Sequence, residues 1–375
     1  MNKFFPNYIS HCIRLLEKYH EYTASKDSNC IAVIPVLLER IDNLHLEFSS
    51  LLEQDDLTES DQFQRNLRTF QTLLMRLEEL ESFGLPIVTH YQSNFDGYLT
   101  SILKRLSGEV GCPVDSPHVC AISTGTSGHG RDYYWYHGYF DTIFIPAAER
   151  FSVLNLPDLL HELGHHILKT YYATFLAPFP GWIAEYRKKF EKTILTEDFQ
   201  YPEHIARSKQ VFLEFWPKSW SDELVCDLIA VYCIGKAYAW TNLKICQSIY
   251  PGNSIYFYSD SHPADAYRMD VIFAMLEHLG ICKKNIRKAW SEYAANYERT
   301  KEFLYEHFFP SELTGKMVLH VHKVCNDIGL ISCTENLQKE ETLVSSLNRE
   351  WAIFLGELKR TGKPTLPYSI LTGKK

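Results

Sequence analysis

Pro157-Asp158-Leu159-Leu160-His161-Glu162-Leu163-Gly164-His165-His166 is the stretch on which the reading of this chain turns. Pro157 suits the first position of a helix and Asp158 its first turn, so the segment predicts a helix that starts there. Residues four apart share a helix face, so the rings of His161 and His165 can reach one ion. Glu162 stands beside the first of them, where a carboxylate can take a proton from a water that such an ion has activated. The pattern H-E-x-x-H is short, and its weight depends on what the rest of the chain supplies.

A catalytic zinc commonly takes three protein ligands and keeps one position open, so two histidines are not enough. One class of such sites needs Gly three residues past His165 and His six past it; those positions hold Leu168 and Tyr171, which excludes it. The better third ligand lies some sixty residues on, in Ser221-Asp222-Glu223-Leu224-Val225-Cys226-Asp227. This segment has the form E-x-x-x-D and reads as helix, so Glu223 and Asp227 point the same way. Glu223 can bind the metal while Asp227 accepts the N–H of a ligating histidine and fixes its tautomer. An ordinary acidic helix face is the plainer reading. Against it, Leu224, Val225, Leu228, Ile229 and Val231 surround these carboxylates with apolar side chains, where an unpaired charge is costly.

H-E-x-x-H followed by E-x-x-x-D is the signature of the gluzincin metallopeptidases, and the chain resembles them. A third element, Ser261-His262-Pro263-Ala264-Asp265-Ala266-Tyr267-Arg268-Met269, is similar to the S-H-P-x-x-x-x-R-[ILM] segment in the peptidase family of the CAAX prenyl protease and the heat-shock protease HtpX. The resemblance covers about residues 139 to 280, including the strand Thr142-Ile143-Phe144-Ile145-Pro146 ahead of the motif helix. It implies one Zn²⁺ on His161, His165 and Glu223, with Glu162 as general base. It also implies an extended substrate lying against an edge strand within Tyr139 to Ile145. Those proteases are often embedded in membranes, and no membrane span is expected here, so their substrates do not carry over.

Two roles compete for His262. Its ring can donate a hydrogen bond to the oxyanion of a tetrahedral intermediate, as a histidine does in gluzincins; or Ser261-His262-Pro263 caps the next helix, with Pro263 at its first position. Tyr267 is the alternative oxyanion donor. Arg268 is expected to pair with Asp227 or Glu223 and hold the site together. His166 is rotated off the shared face of the two ligands, which suits packing or solvent. His320 and His322, with Cys325, lack a compact fourth partner and read as structural.

Outward from the motif, Pro157 onward is helical almost to the end, with helices expected near 182–196, 203–217, 219–235, 264–279, 284–299, 312–328 and 340–360. Residues 7 to about 110 read as four helices. Phe63, Leu67, Phe70, Leu73, Leu74, Leu77 and Leu80 form the clearest 3.6-residue stripe, ended by Gly84 and Pro86. Between the helical regions, His118–Ile122, Tyr133–Tyr136 and Tyr139–Ile145 predict a small antiparallel sheet. Thr124 to Gly130 reads as a flexible loop and the tail from Gly362 as frayed. The fold class expected is therefore α+β, predominantly α. Its parts are a helical bundle over 1–110, a zinc-peptidase core over 111–282 and a helical extension over 283–375.

Composition agrees with a globular chain of 375 residues that has a sizeable core: 45% hydrophobic and 22% charged. A net charge of −8 argues against sequence-independent binding to nucleic acid or anionic membranes. The ten cysteines form no C-x-x-C pair, which favours a reducing compartment over a disulfide framework, and no targeting segment is evident. The expectation is a cytoplasmic zinc metallopeptidase acting on a peptide or protein. An endopeptidase is favoured because no amine- or carboxylate-recognition motif accompanies the site. The alternative is a zinc-binding, non-catalytic helical protein whose bundle recognises a partner, although Glu162 is intact.

Overall fold

The computed structural model describes residues 4–26, 34–54, 60–90, 96–122, 134–138, 140–146, 153–194, 202–248, 254–297, 304–339 and 341–357. The expected loop over 124–130 and the tail from Gly362 lie outside them. The chain opens with helices α1 (Phe4–Ala24), α2 (Ile34–Leu52), α3 (Ser60–Glu79), α4 (Leu85–His90) and α5 (Asp96–Glu109), followed by strands β1 (His118–Ile122), β2 (Trp135–His137) and β3 (Thr142–Pro146). Then come α6 (Leu159–Leu176), α7 (Phe179–Ile194), α8 (Pro202–Gln210), α9 (Ser221–Ile234), α10 (Lys236–Ser248), α11 (Asp265–His278), α12 (Lys284–Ala294), α13 (Tyr305–Phe308), α14 (Ser311–Asp327), α15 (Cys333–Asn336) and α16 (Leu343–Phe354). The fold is α+β and predominantly α, as expected.

Two compact units divide the chain. The first comprises Met1–Ser101 and Pro117–Arg150. Its helices bury periodic faces: Ile9, Cys12 and Leu16 on α1, Ile34, Leu37, Ile41, Leu44, Phe48 and Leu51 on α2, and Phe70, Leu73 and Leu77 on α3 are all buried. Gly84 and Pro86 do not end the helical path, which runs on through a π-turn at Leu80–Gly84 into α4. Each large apolar side chain so enclosed contributes roughly 1.5–3 kcal/mol. Cys120 of β1, Phe144 of β3 and Phe140 join the same core, so the sheet belongs with these helices, whereas the sequence reading set it with the motif helix.

The sheet has the order β1-β3-β2. β2 and β3 are antiparallel neighbours, but β1 runs parallel to β3, so the sheet is mixed rather than wholly antiparallel. This order corrects a second expectation. β3 carries Thr142–Pro146 and is the central strand, with β1 along its whole length and β2 against Thr142–Phe144, so over those three residues it offers no edge to an extended peptide.

The second unit comprises Ile102–Ser116 and Phe151–Lys375. α9 is its axis. From Leu224 to Ile234 every residue of α9 is buried, because α6, α11 and α14 pack around it and α15 and α16 add further cover. Met317, Val318, Val321 and Val324 of α14 are buried, so the part read as a C-terminal extension shares the core that holds the motif helix. A 3-10 turn over Val153–Asp158 leads into α6 and includes Pro157. Val211–Trp220 is wound as a π-helix with Pro217 inside it and runs directly into α9. The long apolar run from Leu228 to Trp240 is two helices, because Gly235 adopts φ 75 and ends α9 there. Among the described residues, no helix is long and apolar enough to cross a membrane.

Candidate metal centre

The site lies wholly within the second unit, on α6, α9, α10 and α11. Gly164 sets the approach of the first two helices. A Cβ built on it would stand 3.1 Å from both Cα and Cβ of Cys226 on α9, so a side chain larger than hydrogen would force the helices apart. Gly164 falls between the two motif histidines, and Cys226 follows Glu223 by three residues. The close contact therefore brings the H-E-x-x-H face of α6 against the first turns of α9.

His161 Nε2 stands 3.2 Å from Glu223 Oε2, and His165 Nε2 stands 3.4 Å from Glu223 Oε1. One ligand atom from each of the three residues lies within 4.8 Å of the others; among the described residues, these three form the group that can hold a metal ion. The donor set fits a divalent cation such as zinc: two imidazole nitrogens, one carboxylate and no fourth protein ligand among the described residues. Burial opposes the charge on Glu223, but the His165 and His161 rings outweigh it and hold the carboxyl well below the ordinary range. Burial likewise pushes His161 toward neutrality, while Asp227 and Glu223 raise it well above 6.5. Glu162 is buried on the same helix turn.

Asp227, fully enclosed, is the hub beneath the site. Arg268 of α11 grips it with two donors, Nε to Oδ2 at 2.8 Å and Nη2 to Oδ1 at 2.7 Å. His161 Nδ1 lies 3.0 Å from Asp227 Oδ1. Burial would raise this carboxyl, but the guanidinium and the imidazole bring it down to about 2. The ion pair is bidentate and desolvated, the arrangement in which a buried charge is tolerated. Of the two partners expected for Arg268, its side chain takes Asp227.

His262 reaches the rim. Its Nε2 is 3.8 Å from Glu223 Oε2, its side chain is 46% exposed, and its Nδ1 lies 2.9 Å from Ser261 Oγ. The loop that carries it is tied to the end of the π-helix: Trp220 Nε1 donates to Ser259 O at 2.8 Å, and Ser219 Oγ bonds Asp260 O. The capping role does not hold, because α11 starts at Asp265 with Ala264 as its N-cap, leaving Pro263 and His262 upstream of the helix. Tyr267 points elsewhere; its hydroxyl donates to Pro310 O at 3.2 Å and accepts from Thr314 Oγ1 at 3.0 Å. His166 Nε2 meets Asp115 O at 2.7 Å and His320 Nε2 meets Phe175 O at 2.9 Å, both away from the cluster. His322 contacts the ring of Tyr232 and Nδ2 of Asn326.

Two residues escaped the sequence reading. Tyr238 of α10, fully buried, donates its hydroxyl hydrogen to Asp227 Oδ1 at 2.5 Å and sits 3.1 Å from His161 Nδ1. Nothing around Tyr238 in the sequence marks it, since it lies in an apolar stretch broken only by Gly235 and Lys236. Asp222 precedes the third ligand; burial and the Glu223 charge push it up to about 6, against the pull of His165. No protein-family model, curated protein or solved structure matches this chain.

Proposed function

We propose that the chain is a cytoplasmic zinc metallopeptidase, cleaving within peptide or protein substrates. The observation that carries the reading is the convergence of His161, His165 and Glu223 from two helices on one point, with Nδ1 of His161 already engaged by a buried carboxylate and its Nε2 facing Glu223. A chance motif has no reason to recruit a third ligand from sixty residues away together with an Asp–Arg pair beneath it.

His161, His165 and Glu223 would hold the zinc, which supplies Lewis acidity: it polarises a carbonyl and brings the pKa of water down to about 7. Glu162 accepts the proton of the attacking water and returns it to the leaving amine, so one carboxylate serves as base and then as acid. His262, at the rim, donates from Nε2 to the scissile carbonyl oxygen as that atom gains charge. Asp227 and Arg268 keep the His161 ring oriented. The free thiols of the described cysteines suit a reducing compartment.

The test exposes a diverse peptide library to zinc-loaded wild type and to Glu162→Gln, with new termini read by mass spectrometry and metal content by elemental analysis. The wild type should cleave; Glu162→Gln should keep its zinc and lose about 10²- to 10⁴-fold in rate. Equal turnover by the variant, or a wild type that binds no zinc, would sink the assignment.

A further inference from the structure

We infer that Tyr238 is a positioning residue for the metal, acting through the Asp227–His161 pair to keep His161 in the tautomer that offers Nε2. The inference rests on the metal reading above and adds a residue to it.

Hydrogen-bond bookkeeping carries the argument. Asp227, ionised and gripped by Arg268, can only accept, so the Tyr238 hydroxyl at 2.5 Å must donate to Oδ1. With its hydrogen so directed, the tyrosine oxygen turns lone pairs toward its other neighbour, His161 Nδ1, at 3.1 Å. The second neighbour of Nδ1 is Asp227 Oδ1 at 3.0 Å. Both atoms facing Nδ1 are therefore acceptors, and the ring satisfies them by carrying its proton there. Nε2 faces Glu223 Oε2, 3.2 Å away, and with the proton of Nδ1 so held it is Nε2 that gives up its own proton and offers the lone pair to a metal ion.

The ring of Tyr238 lies nearly parallel to the His161 imidazole, 7° between planes with centroids 6.2 Å apart. Tyr238 is fully enclosed, so water does not compete for the hydroxyl. Its place follows from Gly235: the positive-φ turn ends α9 and starts α10 at once, which brings residue 238 back to residue 227. A carboxylate that orients a ligating histidine is a common arrangement. A tyrosine hydroxyl donating to that carboxylate while presenting its own lone pair to the same nitrogen doubles the restraint.

Four full-length proteins test it: wild type, Tyr238→Phe, Asp227→Asn and the double variant. Each is stripped of metal, and zinc affinity is measured by competition with a chromophoric chelator, alongside the melting temperature of the metal-free form. The expected result is a single zinc per wild-type chain and a loss of about 10- to 100-fold for Tyr238→Phe. The double variant should be no weaker than Asp227→Asn alone, since both changes act through one hydrogen-bonded unit. A Tyr238→Phe protein that melts earlier yet binds zinc as the wild type does would overturn the inference and leave a packing role. Additive losses in the double variant would overturn it too. Nitrogen-15 spectra of zinc-loaded wild type need no variant: Nδ1 of His161 should carry the proton, and a metal-bound Nδ1 refutes the argument. A wild type that takes up no zinc fails the metal reading itself, and this inference falls with it.

Discussion

Replacing Gly164 by Ala sets two effects of opposite sign against each other, and the structure says which should win. Alanine is the better helix former by about 0.5–1 kcal/mol, so at a position facing open space the change stabilises. At Gly164 the new methyl would lie 3.1 Å from Cys226 Cα, 3.1 Å from its Cβ and 3.3 Å from its Sγ. Carbon atoms pack at about 3.5–4.0 Å, so α6 and α9 must give by a few tenths of an ångström, and a backbone Cα cannot swing aside. Overpacking of this kind costs about 1–3 kcal/mol, which exceeds the helical gain and leaves a net loss near 1 kcal/mol. In a unit of this size that lowers the melting temperature by about 2–4 °C. The displacement also exceeds the ~0.2 Å tolerance of metal–ligand distances, so zinc affinity should fall by about tenfold or more. Gly315 on α14 is the control, because a Cβ there meets nothing within 4 Å and Gly315→Ala should raise the melting temperature. Calorimetry of metal-free protein and chelator competition give both numbers. A Gly164→Ala protein that melts higher and binds zinc unchanged would refute the claim that this glycine sets the helix spacing.

Arg268→Met removes the cation that faces the fully buried Asp227 carboxylate and leaves the His161 ring and the Tyr238 hydroxyl beside it. Breaking a buried pair this way costs about 3–5 kcal/mol, to be read from urea unfolding of the metal-free protein, and unchanged stability would show that the pair is dispensable. In the first unit, burial, aided by Arg40, holds the His137 ring down to about 4, whereas it titrates near 6.5 when unfolded. Stability present above pH 6.5 should therefore drain away as pH falls toward 4, by at most ~3 kcal/mol. Glu79, 3.1 Å from Nε2, is pushed up by burial and titrates in the opposite sense, so the measured loss will be smaller. His137→Gln should flatten that acid limb of the stability curve; an unaltered limb assigns it to other groups.

What could be read from the sequence and what could not divide along a physical line. Spacing within a helix fixes which side chains share a face, so the pairing of His161 with His165, and of Glu223 with Asp227, follows from 3.6 residues per turn. The approach of α6 to α9 was implied only indirectly, through the need of two histidines for a third ligand. Its cause, the missing side chain of Gly164, is invisible until Cys226 is seen opposite it. α9 is enclosed on every side and so carries no amphipathic period, and at the start of α10 nothing distinguishes Tyr238 from a core tyrosine, although its hydroxyl touches the hub. The sheet shows the same limit. Alternation predicts strands, and the short connection from β2 to β3 predicts their antiparallel pairing, but the placement of β1 on the far side of β3 depends on the helices it packs with. Chemistry at a site can thus be legible where its support is not. The ligands must be of particular types at particular spacings, whereas Gly164, Tyr238 and the loop straps from Ser219 and Trp220 act by shape and single hydrogen bonds that many sequences could provide. Whether they are needed is a question of ångströms, and it is the Gly164 and Tyr238 variants, rather than the ligands, that will answer it.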